Sequence, residues 1–568
     1  MVSFVREHQS VSVPAYCHMT PLLVSRLPEQ SSDSRLNETN KHMQRSSPKL
    51  TLAFVPGAHP AYVPLGVAVL AGHVRRHSPN AELHVVDLNQ HAWRSLLAST
   101  TASRDAAAFF AGRAGNFYDE ATYLAQLTVL GDLARQLGEV ERDARRYLEG
   151  EPPSAPLAAL LIAEATAVLE GDPDVIGLSA LYLPQLTFAL ALARWLDAEQ
   201  PPRPDRRPLV LLGGAATSHV EVPELLAACP FLDGVAVGEG EAVLSGLLEG
   251  RSHFEIPGLA TPQFPHTAPD CAAAALLLGA ADFSDLALGG YLVPEPVLPV
   301  LLSRGCRWRA CAFCAHNFSF GDYRQKDAGA FADELATYGQ RYGARNFYLA
   351  DQYVGPQALA ALSDAIKARG LDLAFHSMAR PTGRYTKELL ATARAAGCVW
   401  LSFGVETGSE RLLDLCRKGT HVPEISAAIT ESARADISNL VMLVFGLPTS
   451  TDEDVEATLD LLGEIHEHVD AFTESSFVLF DHTEFARRAP ELGLTVSGRR
   501  PLLTVLGRTV HSFRLDFTER GVTGDVRPPR SGLEIARFQS RRRWLGEARV
   551  YEQLVAEHYL LYAAHCHR

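Results

Sequence analysis

Val300-Leu301-Leu302-Ser303-Arg304-Gly305-Cys306-Arg307-Trp308-Arg309-Ala310-Cys311-Ala312-Phe313-Cys314 is the stretch that decides how this chain is read. An apolar run predicts a buried strand, and the three thiols follow it directly in a loop at the strand's carboxyl end, an active-site position in a β/α barrel. Thiolates are the ligands of iron–sulfur clusters, and a cubane held by only three of them leaves one iron open to another molecule. The chain has nine cysteines, an odd number, thinly spread except for this triplet, which is not the layout of a secreted disulfide framework. A structural zinc with His316 or a distant cysteine as fourth ligand is the alternative, although zinc loops normally come as two separated ligand pairs.

Outward from the loop the pattern is β/α. Val300-Leu301-Leu302, Phe347-Tyr348-Leu349, Leu373-Ala374-Phe375, Trp400-Leu401-Ser402-Phe403, Leu440-Val441-Met442-Leu443-Val444 and Ser476-Phe477-Val478-Leu479 read as strands between mostly helical segments, predicting a partial β/α barrel over 298–495. Upstream, residues 251–297 carry prolines and weak periodicity and read as a linker. Before them, Leu52-Ala53-Phe54-Val55, Leu83-His84-Val85-Val86-Asp87, Val175-Ile176-Gly177-Leu178-Ser179, Leu209-Val210-Leu211-Leu212-Gly213 and Gly234-Val235-Ala236-Val237 alternate with helices. They predict a doubly wound, Rossmann-like α/β sheet over 49–250, with a helical insertion broken at Pro152 and Pro153, whose ligands would sit at the carboxyl ends of its strands. Residues 1–48, rich in Ser, Gln, Asn and charge, read as a mobile tail. Residues 496–568 read as a small, mainly helical C-terminal cap: a short β-like stretch, then a helix near 533–562. Its Tyr551, His558, Tyr559 and Tyr562 form an aromatic stripe for the barrel, and Arg541-Arg542-Arg543-Trp544 lie beside them with the arginines in solvent.

Composition narrows the function classes. The 568 residues are 47% hydrophobic and 21% charged, which is ordinary globular composition. A net charge of -14 argues against a nucleic acid partner, because it repels phosphate backbones. The apolar stretches are too short to span a membrane, and the first twenty residues lack a basic start and an apolar run, so a cytoplasmic location is expected.

Three close cysteines with an aromatic residue, Phe313, before the last resemble the signature of the radical S-adenosylmethionine (SAM) enzymes. Four residues separate Cys306 from Cys311, where the family's commonest form has three. The resemblance implies that Cys306, Cys311 and Cys314 hold a [4Fe-4S] cluster and that SAM chelates the open iron. Reductive cleavage of SAM then yields a 5'-deoxyadenosyl radical, with an external electron donor such as flavodoxin or ferredoxin. It also implies roles for residues at strand ends: Glu406, in Phe403-Gly404-Val405-Glu406-Thr407-Gly408, near the cosubstrate; Arg380 toward the methionyl carboxylate; Gly446, in Gly446-Leu447-Pro448, near adenine; and, more weakly, Asp351 in the same cleft.

A doubly wound sheet ahead of such a barrel resembles the cobalamin-binding domain of a large subgroup of these enzymes. The matching pieces are Pro64-Leu65-Gly66, Asp87-Leu88-Asn89, Gly177-Leu178-Ser179, Gly213-Gly214 and Gly238-Glu239-Gly240-Glu241. The resemblance implies cobalamin binding there, with Gly213, Gly214, Gly238, Glu239 and Gly240 among the contacts. The histidine motif Asp-x-His-x-x-Gly is absent, since Asp87 and His91 have the wrong spacing, so no cobalt ligand is assigned. The expected activity is methylation of an unactivated carbon in a small-molecule or peptide substrate. Cobalamin-dependent rearrangement or cyclisation is the alternative within the subgroup, and a non-catalytic zinc or iron–sulfur protein the alternative outside it.

Overall fold

The computed structural model describes residues 47–198, 207–267, 279–319, 321–520, 526–527, 531–545 and 554–566. Nearly all of the tail expected over 1–48 lies outside them, as do Tyr551 and the side chains of 541–544.

The first sheet is built from β1 (Lys49–Phe54), β2 (Glu82–Asp87), β3 (Val175–Ser179), β4 (Leu209–Gly213), β5 (Gly234–Ala236) and β6 (Leu259–Ala260), in the order β2-β1-β3-β4-β5-β6. Strands β1 to β5 are parallel, and β6, which the sequence reading placed inside a linker, adds antiparallel to β5. The apolar runs of β1, β3 and β4 are buried because helices cover both faces. The strand order reverses between β1 and β3, and the crevice at such a switch point is where doubly wound sheets bind ligands.

The second sheet contains β7 (Val297–Val300), then, past the short pair β8 (Ser303–Arg304) and β9 (Arg324–Gln325), β10 (Asn346–Leu349), β11 (Ala374–Ala379), β12 (Cys398–Glu406), β13 (Ser438–Phe445) and β14 (Ala471–Ser476). Its six strands run parallel in sequential order, as an open β/α barrel requires. Two strands depart from the sequence reading. The first strand lies three residues earlier than 300–302 and includes Pro299, which an edge strand tolerates because no partner needs its missing N–H. The last lies at 471–476 rather than 476–479. It is the other edge, and its exposed Thr473, Ser475 and Ser476 hide it from a search for apolar runs.

The C-terminal region packs back into both halves. Strands β15 (Leu494–Val505) and β16 (Arg508–Arg520) form a hairpin whose Leu503, Val505 and Val510 enter the core of the first sheet. Glu221 N donates to His511 O at 3.0 Å, and Leu506 N to Leu148 O at 2.9 Å. The final helix, Ala556–Cys566, fills the concave side of the barrel. Tyr559 stacks on Trp400 at 4.2 Å, Trp400 lies 4.0 Å from His376, and His376 stacks on Tyr348 at 4.3 Å. Among the described residues, no helix is long and apolar enough to cross a membrane.

Candidate active site between the two sheets

The carboxyl ends of the two sheets face each other. Past β5, Glu239 and Glu241 accept from Arg304 at 2.7 and 2.5 Å, and Glu239 also accepts from Arg324 at 3.0 Å. Past β4, His219 acts electrostatically on His316, two residues beyond Cys314. Past β1 and β3, Tyr62 and Tyr182 lie within electrostatic reach of Tyr348 on β10.

The cysteine loop is fixed from several sides. Asp351, at the end of β10, accepts from Leu302 N at 3.1 Å and from Ser303 N and Oγ at 2.5 Å each, pinning the approach to the loop. Burial pushes this carboxyl up to about 6 despite those bonds. It therefore supports the loop by holding β7 and β8. Trp308 is clamped by Arg380, whose guanidinium lies 3.8 Å from the ring centroid, and its Nε1 donates to Arg417 O at 3.0 Å. Arg380 Nη1 donates to Lys418 O and Gly419 O at 2.8 and 2.9 Å. Gly419 has φ +65°, and a Cβ there would meet Trp308 at 2.3 Å, so the indole's seat depends on that glycine. Ala312 N donates to Cys416 O at 2.8 Å.

Cys306, Cys311 and Cys314 are half-buried free thiols. Burial pushes the Cys311 thiol up to about 11 and raises Cys314, while the Lys418 ammonium opposes both shifts. Lys418 is 7% exposed. Burial disfavours its charge, yet Glu406 and Cys311 hold its amine above the ordinary lysine value. Its Nζ lies 2.5 Å from Glu406 Oε1, and Glu406 is strained at φ +68°. A buried ammonium beside two thiols favours their thiolate forms, the forms that bind iron. Among the described residues, no three His, Cys, Asp or Glu side chains are gathered around one point that could hold a single metal ion. In a cubane each thiolate binds its own iron, so this donor set fits a cluster.

Glu406, Arg380 and Asp351 thus surround the cysteine loop, Glu406 through Lys418 and Arg380 through Trp308. Sequence reasoning missed Lys418 and Trp308: a lone lysine has no local signature, and the tryptophan's partners Arg380 and Arg417 lie 72 and 109 residues away. Gly446 has φ +77°, and its N–H donates to the buried Glu534 at 2.5 Å. A Cβ on Gly446 would meet Ser531 at 2.7 Å, so the helix Ser531–Leu545 begins against this turn.

In the front sheet, Gly213 and Gly214 end β4, and a Cβ on Gly214 (φ +94°) would meet Ala180 O at 2.3 Å. Gly238, Glu239 and Gly240 follow β5, with Glu239 engaged by the two arginines. Asn89 Oδ1 accepts from Gly57 N and Ala58 N at 3.0 Å each, while Asn89 Nδ2 and His219 Nδ1 are buried without a partner. Polar atoms left unmet at a sheet's carboxyl edge suit a ligand rich in amide groups.

Residues 300–462 match the Radical SAM superfamily. That segment is a radical SAM domain. The match brings a [4Fe-4S] cluster and SAM, and sets aside the non-catalytic zinc alternative. The barrel and front sheet resemble solved structures as a unit. The chain superposes on the cobalamin-dependent S-adenosylmethionine radical enzyme OxsB with a TM-score of 0.60 at 15% identity, covering 89% of this chain and 68% of that one. On the radical S-adenosylmethionine methyltransferase TsrM from Kitasatospora setae the TM-score is 0.55 at 17% identity, covering 81% and 83%. At these identities the likeness is one of fold. Among curated proteins, it is 26% identical over 267 residues to an uncharacterized methyltransferase of Pyrococcus horikoshii, covering 44% of this chain and 56% of that protein. It is 28% identical over 268 residues to the anaerobic magnesium-protoporphyrin IX monomethyl ester cyclase of Cereibacter sphaeroides, covering 44% of each. The chain spans about half the length of these curated relatives.

Proposed function

We propose that this protein binds its cluster through Cys306, Cys311 and Cys314, binds cobalamin at the carboxyl edge of the front sheet, and methylates an unactivated carbon. The observation that carries the reading is the opposition of the two sheet edges, clasped by Arg304, with the thiols on one side and the glycine turns on the other. When bound, the cluster and SAM supply a 5'-deoxyadenosyl radical, and cobalamin supplies a methyl group.

The chain's own residues do the rest. Asp351, Trp308 and Arg380 hold the thiol loop in place, Lys418 favours the thiolates, and Glu406 presents a carboxylate toward the amino group of SAM. The unpartnered Asn89 Nδ2 and His219 Nδ1 are donors for the corrin's amide carbonyls. Methyl transfer draws support from a methyltransferase relative and a methyltransferase of like fold; cyclisation, the second reading, from the cyclase relative. The substrate is a small molecule or peptide, and the electron donor a flavodoxin or ferredoxin.

The test is anaerobic reconstitution with iron, sulfide, hydroxocobalamin, SAM and reductant, comparing the native chain with Cys314→Ala. Native protein alone should release 5'-deoxyadenosine, and S-adenosylhomocysteine should accompany it. A native chain that forms a cluster yet leaves SAM intact would sink the reading, and deoxyadenosine without homocysteine product would favour cyclisation.

A further inference from the structure

The turn after β13, Gly446-Leu447-Pro448-Thr449, is held by two glutamates from the C-terminal region. Gly446 N donates to Glu534 Oε2 at 2.5 Å, and Thr449 N donates to Glu519 Oε1 at 2.6 Å. Pro448 has no N–H, so two of the turn's three backbone donors are already taken by side chains of this protein. Glu534 is 5% exposed, yet its second oxygen, Oε1, is buried with no hydrogen-bond partner among the described residues.

The helix Ser531–Leu545 holds this carboxylate firmly against the turn. Phe538 packs on Phe445 and Phe472, with ring centroids 5.5 and 6.2 Å apart. Arg537 Nη1 donates to Asp452 Oδ1 at 3.0 Å and Gln539 Nε2 to Glu474 Oε1 at 3.0 Å, so these two donors of the same helix are turned to other acids. The turn also lies on the thiol side of the barrel. β13 pairs in parallel with β12, and Leu443 stands opposite Glu406, so the turn begins three residues beyond the level of the Glu406–Lys418 pair, on the adjacent strand.

A buried acceptor left unmet is costly, and such an atom beside a ligand-facing turn is explained by a donor that arrives with the ligand. A carboxylate can only accept. With the Gly446 N–H occupied, the turn presents an acceptor where an open glycine turn presents a donor. At the 6-position of a purine, an amino group fits such an acceptor and an oxo group is repelled by it. We propose that Glu534 Oε1 accepts a hydrogen bond from the 6-amino group of SAM's adenine, which makes Glu534 the residue that sets purine specificity. This rests on the radical SAM reading of the site and on the placing of Gly446 beside adenine.

The experiment is anaerobic isothermal titration calorimetry of the full-length protein with its cluster reconstituted and no reductant present. The ligands are SAM and S-inosylmethionine, which carries a 6-oxo group instead. Native protein should bind SAM at least about tenfold more tightly. Glu534→Gln should erase or reverse that preference: the amide oxygen stays on Gly446 N–H, and the amide NH2 then faces the purine as a donor. Equal affinity of native protein for the two ligands overturns the assignment. So does a Glu534→Gln variant that keeps the native preference, even one that weakens both ligands alike, since that is the mark of a purely structural cap. Should Glu534→Gln fail to fold, Glu534→Asp, which keeps the charge on a side chain one methylene shorter, should lose most of the preference, and an undiminished one overturns the assignment. Equal binding of both ligands would leave the SAM site standing, whereas binding of neither to a native protein with an intact cluster would overturn that reading and this assignment together.

Discussion

Arg304, two residues before Cys306, donates at 2.5 Å to Glu241 of the other domain, whose side chain is 3% exposed. The bond joins the thiol loop to the turn after β5, and Glu239 reinforces it while also holding Arg324. The distance between the two carboxyl edges is therefore set by a nearly buried ionic clasp. Residues read from the sequence as cofactor contacts, Glu239 above all, are engaged with the barrel.

Removing Glu241 takes one of two carboxylates from the buried Arg304, and removing Arg304 leaves Glu241 buried without that cation. Glu241→Gln should lower stability by about 3 kcal/mol. Arg304→Met should do likewise, and the double variant should lose clearly less than the sum. Calorimetric melting of the four proteins checks this, and strict additivity would show that the pair is not coupled.

The seat of Trp308 should govern how firmly the cluster is kept. Trp308→Ala and Arg380→Ala each remove a stacking contact worth about 1 kcal/mol, so each should lose iron several-fold faster than native protein. Iron content and the cluster's visible absorbance after gel filtration report the outcome. Cys416→Ala should keep its cluster, because the backbone carbonyl that accepts from Ala312 N survives the substitution.

Glu406 stands beside Lys418, and in the proposed reading it acts on SAM rather than on the cluster. Glu406→Gln should raise KM for SAM at least about tenfold, the loss of a charge-assisted hydrogen bond, while the cluster's spectrum stays unchanged. A bleached cluster would place Glu406 among the supports of the loop.

His376 is buried, stacked between Tyr348 and Trp400, and bonded to Ser402 Oγ at 3.0 Å. Burial pushes its pKa from 6.5 down to about 3. Below pH 6.5 the unfolded chain binds a proton there that the folded chain refuses, so this contribution is complete above 6.5 and lost as pH falls. Relative to His376→Gln, native protein should lose about 1.4 kcal/mol per pH unit between 6 and roughly 4. Melting temperatures of the two proteins across that range test the sign; parallel curves would refute it.

The sequence by itself determined the two parallel sheets and the thiol triplet, because both rest on local order. Apolar runs such as those of β1, β4 and β13 are buried by neighbours that any helix-covered parallel sheet supplies, and Cys306, Cys311 and Cys314 lie within one loop. Edge strands were less legible. Exposed polar residues hid β14, and Pro299 pushed the reading of β7 downstream. Only the tertiary structure decided what surrounds the thiols. Lys418 reaches them from beyond β12, Arg380 from the end of β11, and Glu241 from another domain; none of those separations leaves a periodic trace in the chain. Charge pairing and desolvation depend on distance in space, and the sequence records distance only along the backbone.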